Sequence, residues 1–225
     1  MEEWCIPPEA NADFVCKMED VLEVYTQPHD EKRPLVCMDE TSKQQIMEVR
    51  AGIEMEPGRA AKFDSEYKRN GVSNLFMFFA PLERWRDVSV TDRRTKSDWA
   101  LAMRELSDVH FPEAERIVVV MDNLNTHKPS SFYEAFSPEE ARRLVSRFEF
   151  HHTPKHGSWL NMAEIELSVL GRQCLSRRIP NQDEMRHQTR AWAKERNRRK
   201  STVNWRFTTE DARIRLARLY PSLSD

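Results

Sequence analysis

The chain has 225 residues, 39% hydrophobic and 32% charged, with a formal net charge of −2 at pH 7. That suits one domain with additions and a real core, and no apolar run approaches the ~18 residues that span a bilayer. Its five glycines form no G-x-G-x-x-G or G-x-x-x-x-G-K-[ST] phosphate loop and no G-x-S-x-G nucleophile elbow.

The start, Met-Glu-Glu-Trp-Cys, lacks the basic and apolar regions of a signal peptide. Cys5, Cys16, Cys37 and Cys174 are scattered without C-x-x-C spacing, as reduced cytosolic thiols are. Residues 1–31 hold nine acids against one lysine. Within them Pro8–Tyr25 reads as an amphipathic helix with Phe14, Met18, Val21, Leu22 and Tyr25 on one face, a connector packed on the main domain. Leu35–Asp39 is predicted as the first strand, with Cys37 a small core residue. Ile46–Ile53 is a further candidate strand, Pro57-Gly58-Arg59 a loop and Lys68-Arg69-Asn70-Gly71 a turn. Asn74–Ala80 is a strong strand, with Trp85–Val90 as its hairpin partner. Ser97–His110 is helical, with Ser97 as N-cap.

Arg116–Met121 is an apolar, β-branched run of the kind buried on both faces at the centre of a sheet, and Asp122 follows without a spacer. Ser130–Ser146 holds one or two helices, with a start at Ser137-Pro138-Glu139-Glu140. Phe148–His152 is another short strand. The loop from Thr153 to Ser158 leads into a helix carrying Glu164 and Glu166. A basic helix near Asp183–Lys200 and a helix over Thr209–Leu219, begun by Thr208 or Thr209, close the chain.

An acid at the end of a buried strand lies at the rim where open α/β sheets bind ligands. A single Asp there reads as an ordinary turn residue. The repetition at Asp39 and Asp122, with a third acid on the later helix, points instead to a convergent site. Three carboxylates repel, and a bound hard metal ion is the usual remedy. Periodicity leaves the third acid open: Leu160, Ala163, Leu167 and Leu170 form an apolar stripe, and Glu164 and Glu166 lie on its opposite flanks. Glu164 is nearer the positive helix start.

Residues 171–200 hold ten bases against three acids. Alone this is a solvated helical face; beside a metal-type acidic site it reads as a surface for a polyanion. His127, His151, His152 and His156 with Cys174 match no tetrahedral zinc spacing.

Val36-Cys-Met-Asp-Glu-Thr-Ser-Lys43, Val120-Met-Asp-Asn-Leu-Asn-Thr-His127 and His152-Thr-Pro-Lys-His-Gly-Ser-Trp-Leu-Asn-Met-Ala-Glu164 resemble the three blocks of a DDE transposase. The resemblance is to the bacterial insertion-sequence branch of the Tc/mariner superfamily, the insertion sequence 630 type. It extends to Arg69-Asn-Gly-Val-Ser-Asn-Leu-Phe-Met77 and Val203-Asn-Trp-Arg-Phe-Thr208, and Ser-Trp-Leu-Asn-x-x-Glu is its most specific part.

It implies an α/β, ribonuclease H-like fold: a mixed five-stranded sheet flanked by helices, with a basic helical C-terminal extension. The implied divisions are an acidic helical connector (1–31), the catalytic domain (32–178) and the extension (179–225). Asp39, Asp122 and Glu164 become the metal-binding triad, holding two Mg²⁺ or Mn²⁺ ions. Glu40, Asn123, His127 and Asn161 become supporting groups behind the ligands. Lys155, His156, Arg172, Arg177, Arg178, Arg196, Arg198, Arg199 and Lys200 become DNA contacts. Relatives carry a helix-turn-helix region ahead of the catalytic domain, and the acidic start holds no such motif, so the chain is expected to be a catalytic part alone. The separation of the second and third acids exceeds that of mariner elements, with Ser130–Ser146 the place for an extra helix.

The implied activity is cleavage at element ends and strand transfer into target DNA. The partners are double-stranded DNA, both terminal inverted repeats and target, and a second copy of the chain on that DNA. The implied location is the bacterial cytoplasm, at the nucleoid, away from membranes. Two alternatives are another ribonuclease H-like nuclease or resolvase, and a catalytically idle remnant that still folds and binds DNA.

Overall fold

The computed structural model describes residues 9–49, 57–58 and 66–221. Five strands form one mixed sheet: β1 (Leu35–Glu48), β2 (Tyr67–Ala80), β3 (Trp85–Thr91), β4 (Ile117–Met121) and β5 (Phe148–His152), in the spatial order β3-β2-β1-β4-β5. The first three pair antiparallel; β1–β4 and β4–β5 are parallel. This is the mixed, helix-flanked α/β sheet of the ribonuclease H-like fold expected from the sequence. The middle position belongs to β1, however, and β4 lies between β1 and β5. Full burial identified β4 as interior, but an interior strand need not be the middle one.

Helices cover both faces. On one lie α1 (Ala12–Thr26), α5 (Met162–Gln173), α6 (Gln182–Arg198) and α7 (Thr209–Arg215), packed over Cys37, Leu75, Met77, Phe79, Val118 and Val120. On the other lie α2 (Lys96–Glu105), α3 (Ser130–Ala135) and α4 (Pro138–Arg147), over Val36, Met38, Phe76, Phe78, Val119 and Met121. The period-two alternation of strand side chains produces this division. The acidic first helix and the basic last segments share the first of these cores: Phe14, Met18, Val21 and Leu22 are buried, as are Met185, Trp192 and Ala212. Asn11 N–H donates to the Leu219 carbonyl, tying the two ends together.

Local chemistry explains most boundaries. Asn11 caps α1 by accepting from Phe14 N–H, which moves the start from Pro8 to Ala12. α2 is capped by Thr95 rather than Ser97, because Thr95 and Asp98 form a reciprocal capping box. A π-helical turn, Leu106–His110, continues it. The Ser130–Ser146 stretch divides into α3 and α4, with Ser137 capping the second. Thr208, not Thr209, caps α7, again through a box with Asp211, and the last turn is a short 3₁₀ segment, Ala217–Leu219.

Two strand expectations are corrected. β1 does not end at Asp39 but runs to Glu48, as half of a long ribbon with β2 whose outer residues are polar and half-exposed. The expected strand over Ile46–Ile53 is therefore the tail of β1 as far as Glu48, and residues 50–53 lie outside the described residues. Lys68–Gly71 is not a turn but lies within β2. Gly71 has φ +95°, opposite a register shift between Gln44 and Ile46. One class of bulge and the tight hairpin turn both use a glycine at positive φ, so Asn-Gly signals either. Pro57 and Gly58 do form a turn; Arg59 lies outside the described residues.

Candidate active site

The parallel register of β1 and β4 pairs Leu35 with Val118, Val36 with Val119 and Cys37 with Val120. Two residues further along each chain stand Asp39 and Asp122. With side chains alternating, Asp39 follows Cys37 on the face that α5 covers, while Asp122 stands just past the end of β4 with its carboxylate against His127. Neighbouring strands are ~4.8 Å apart, so this register sets the two backbones side by side where the parallel pairing stops. Asp39 is thus at the end of the parallel ladder although its own strand continues, paired with Met77 of β2.

Glu164 arrives from α5. A 3₁₀ turn, Ser158–Leu160, ends at Asn161, the N-cap of the helix. The Asn161 Oδ1 accepts from Ala163 N–H at 3.0 Å, and its Nδ2 donates to the Met38 carbonyl at 2.8 Å. One side chain therefore starts the helix and pins it to β1 at the residue before Asp39. Glu164 sits in the first turn, half-buried, where the helix dipole favours negative charge. Tyr25 adds a second tie, its hydroxyl donating to the Leu160 carbonyl at 2.7 Å.

The electrostatics register this convergence. Burial pushes the Asp39 carboxyl up to about 7; a hydrogen bond from the Glu40 N–H opposes the rise, and the charges of Asp122, Glu164 and Glu40 add to it. Among the described residues, no three His, Cys, Asp or Glu side chains are drawn together as an ion-holding cluster. The donor set nonetheless fits a hard divalent cation: the charges of Asp122 and Glu164 act on a half-buried Asp39 whose ionisation a cation would favour.

Behind Asp122 lies a hydrogen-bonded chain. The buried His127 ring meets Asp122 Oδ1 through Nδ1 and Glu40 Oε2 through Nε2, both at 3.2 Å. Arg94 Nη1 donates to the other Glu40 oxygen at 3.1 Å. The ring stacks on buried Trp99, with centroids 5.6 Å apart. Burial disfavours a charged His127, but the hydrogen bonds and charges of Asp122 and Glu40 outweigh it and raise its pKa. Glu40 and His127 thus stand beside Asp122. Arg94 and Trp99 carry no local motif and were invisible in the sequence. His152, also unassigned, ends β5 beside Asp122; burial lowers its pKa, and contact with the Asp122 backbone opposes this.

Other expected contacts are dispersed. Asn123, Lys155 and His156 are exposed at the rim, in the loops after β4 and β5. Arg172, Arg177 and Lys200 are exposed, and Arg198 and Arg199 are exposed but paired with Glu195 on their own helix. Arg178 lies over the Tyr67 ring, 5.6 Å from its centroid.

Arg196 faces inward, its side chain 17% exposed, and donates through Nε and Nη2 to both oxygens of Glu166. Its expected role at the DNA surface is corrected: a run of charge does not say which face of a helix each residue occupies. Glu166 is likewise no surface acid. It is 1% exposed and also contacts fully buried Arg86 at 3.1 Å.

Residues 34–186 match the family model described as DDE superfamily endonuclease. The chain belongs to the DDE superfamily endonucleases. Among solved structures, it resembles the Mos1 mariner paired-end complex with Mn at 15% identity and a TM-score of 0.53, over 89% of this chain and 61% of that one. The Mos1 strand transfer complex matches at 13% and 0.56, over 89% and 60%. The mariner Mos1 paired-end complex with Mg matches at 13% and 0.54, over 99% and 67%. The fold of this DDE endonuclease is therefore shared with the mariner transposase, and the chain spans about three fifths of the length of the first of those chains. No curated protein matches the sequence.

Proposed function

We propose that this DDE endonuclease is a transposase of the Tc/mariner insertion-sequence type, cutting phosphodiesters at element ends and joining them to target DNA. The observation that carries the reading is the register of Asp39 with Asp122 beneath the pinned start of α5. In it, Asp39, Asp122 and Glu164 hold two Mg²⁺ or Mn²⁺ ions. Such ions supply positive charge at the phosphodiester and favour deprotonation of the attacking water or 3′ hydroxyl.

The protein's own part is positional. Asn161 sets the approach of Glu164 to Asp39, and the Arg94–Glu40–His127 chain holds the Asp122 carboxylate in one orientation. Partial burial around Asp39 strengthens each charge beside it. Lys155 and His156 at the rim meet phosphates, and exposed Arg172, Arg177, Arg198, Arg199 and Lys200 neutralise the DNA backbone. Two copies act together on paired element ends, at the bacterial nucleoid. The printed descriptions of the Mos1 complexes, paired-end and strand-transfer assemblies with Mn or Mg, support this reading by analogy of fold.

The test combines purified protein with supercoiled plasmid and a terminal-repeat duplex in Mg²⁺. Nicking and joined product are expected, both lost with EDTA. Nicking without joining would reduce the function to a nuclease or resolvase, and neither product would leave a DNA-binding remnant.

A further inference from the structure

Among the described residues, a second buried charged group, apart from Asp39, Asp122 and Glu164, is centred on Glu166. Arg196 of α6 grips both its oxygens, at 2.7 and 3.1 Å, and Arg86 of β3 approaches at 3.1 Å. Arg86 is itself held. Its N–H and Nη1 donate to Asn197 Oδ1 at 2.9 and 3.0 Å, Asn197 Nδ2 donates to the Arg86 carbonyl, and Nη2 donates to the Ser201 carbonyl. The Arg86 guanidinium also lies 5.2 Å from the Phe79 ring centroid.

Two cations and one anion buried together are weak evidence for stability, because apolar side chains of similar volume usually serve as well. What they supply instead is directionality: a guanidinium fork accepts a carboxylate in few orientations. Glu166 is two residues from Glu164, so the two acids project from nearly opposite sides of α5, ~200° apart. Fixing one fixes the other.

We infer that Glu166, clamped by Arg86 and Arg196, is a positioning residue that sets the rotation of α5 and thereby the place of Glu164; this rests on the metal-site reading above. Asn161 and Tyr25 hold the start of the helix, and Met162, Ala163 and Leu170 pack it on the sheet. These ties at one end and non-directional apolar contacts leave its rotation weakly defined. The Glu166 clamp is the directional tie within the helix itself, referenced through β3 and β2 to the same sheet that carries Asp39. A carboxylate ~6 Å from the helix axis moves about 1 Å for a 10° roll. Displacement on that scale is enough to cost on the order of 10²-fold in rate.

The experiment measures Mn²⁺ binding to metal-free protein by calorimetry, alongside single-turnover nicking and DNA affinity. Arg196→Lys keeps the cation and loses the fork; Glu166→Asp keeps the charge and shortens its reach. Outer groups that orient metal ligands typically change affinity 10–100-fold when altered. Either variant, if folded, is expected to bind Mn²⁺ about tenfold more weakly and to nick more slowly, with DNA affinity unchanged. Leu144→Ala, a core change in α4 on the opposite face of the sheet, controls for destabilisation alone and keeps wild-type Mn²⁺ affinity. Wild-type Mn²⁺ affinity in Arg196→Lys or Glu166→Asp overturns the inference and leaves the proposed function standing. A wild-type protein that takes up no Mn²⁺ overturns both.

Discussion

Asp39 and Asp122 occupy equivalent positions on neighbouring parallel strands, each two residues beyond the last registered pair, Cys37 and Val120. Sheet register brings the two backbones together, and the first residue after β4 carries the second acid. Exchanging either for Asn removes charge while keeping shape. Nicking in Mg²⁺ should fall by ~10²-fold or more in each variant, with circular dichroism unchanged. Near-wild-type nicking by either variant would remove that residue from the site.

Asp39 also imposes a pH dependence on the metal-free fold. Burial raises its carboxyl to about 7, from a value near 3.8 in the unfolded chain. The native state therefore holds a proton that the unfolded state releases, and stability declines as pH rises from ~4 to ~7. Asp39→Asn should remove that decline and make the metal-free protein more stable at pH 8 by roughly 1–3 kcal/mol, several degrees in Tm. Calorimetric scans of both proteins across this range measure the difference. Added Mg²⁺ should raise the wild-type Tm and leave the variant nearly unmoved.

Glu164 and Glu166 should respond oppositely to the same chemical change. Glu164→Gln, at a half-buried position, is expected to eliminate cleavage with a stability change under about 1 kcal/mol. Glu166→Gln leaves the buried Arg86 and half-buried Arg196 guanidinium groups facing a neutral amide and should destabilise by about 3 kcal/mol. Urea unfolding of the two variants measures the difference, and an unchanged midpoint in Glu166→Gln would return Glu166 to a surface role.

Asn161→Ala should cost about 2 kcal/mol, since it removes a helix cap and the buried hydrogen bond to the Met38 carbonyl together. The same change should slow nicking, because it frees the start of α5. A thermal shift within error of zero would show that other contacts hold the helix.

The DNA surface is testable by salt titration. Arg198, Arg199 and Lys200 changed together to Ala should weaken binding of all sequences alike and reduce the salt slope by roughly one unit per lost phosphate contact. Because Glu195 already pairs with Arg198 and Arg199, the combined reduction should fall short of three units. An unchanged slope returns this end of α6 to an ordinary solvated surface.

What was readable in the sequence is what short-range chemistry controls. Buried strands such as Ile117–Met121, caps such as Ser137 and the stripe of α1 each leave a signal within a few residues. The polar half of β1 did not, because a two-stranded ribbon with solvent beside it needs no apolar run. Helical periodicity correctly put Glu164 and Glu166 on opposite flanks, yet could not tell that one flank faces two arginines distant in sequence. Arg86 and Arg196 reach Glu166 only once β3 and α6 are folded against α5. The pairing of Arg94 with Glu40 was hidden for the same reason.

The overrun of β1 past β4 has a further consequence. From Met38 onward, the side of β1 away from β2 pairs with no strand among the described residues, and such an open edge is a template onto which another molecule can add a strand. Here the edge is occupied: Asn161 takes the Met38 carbonyl and the Ile179 carbonyl takes the Ile46 N–H. The segments that bracket α5 therefore also guard the protein against edge-to-edge aggregation, and loosening them would expose the ribbon to self-association.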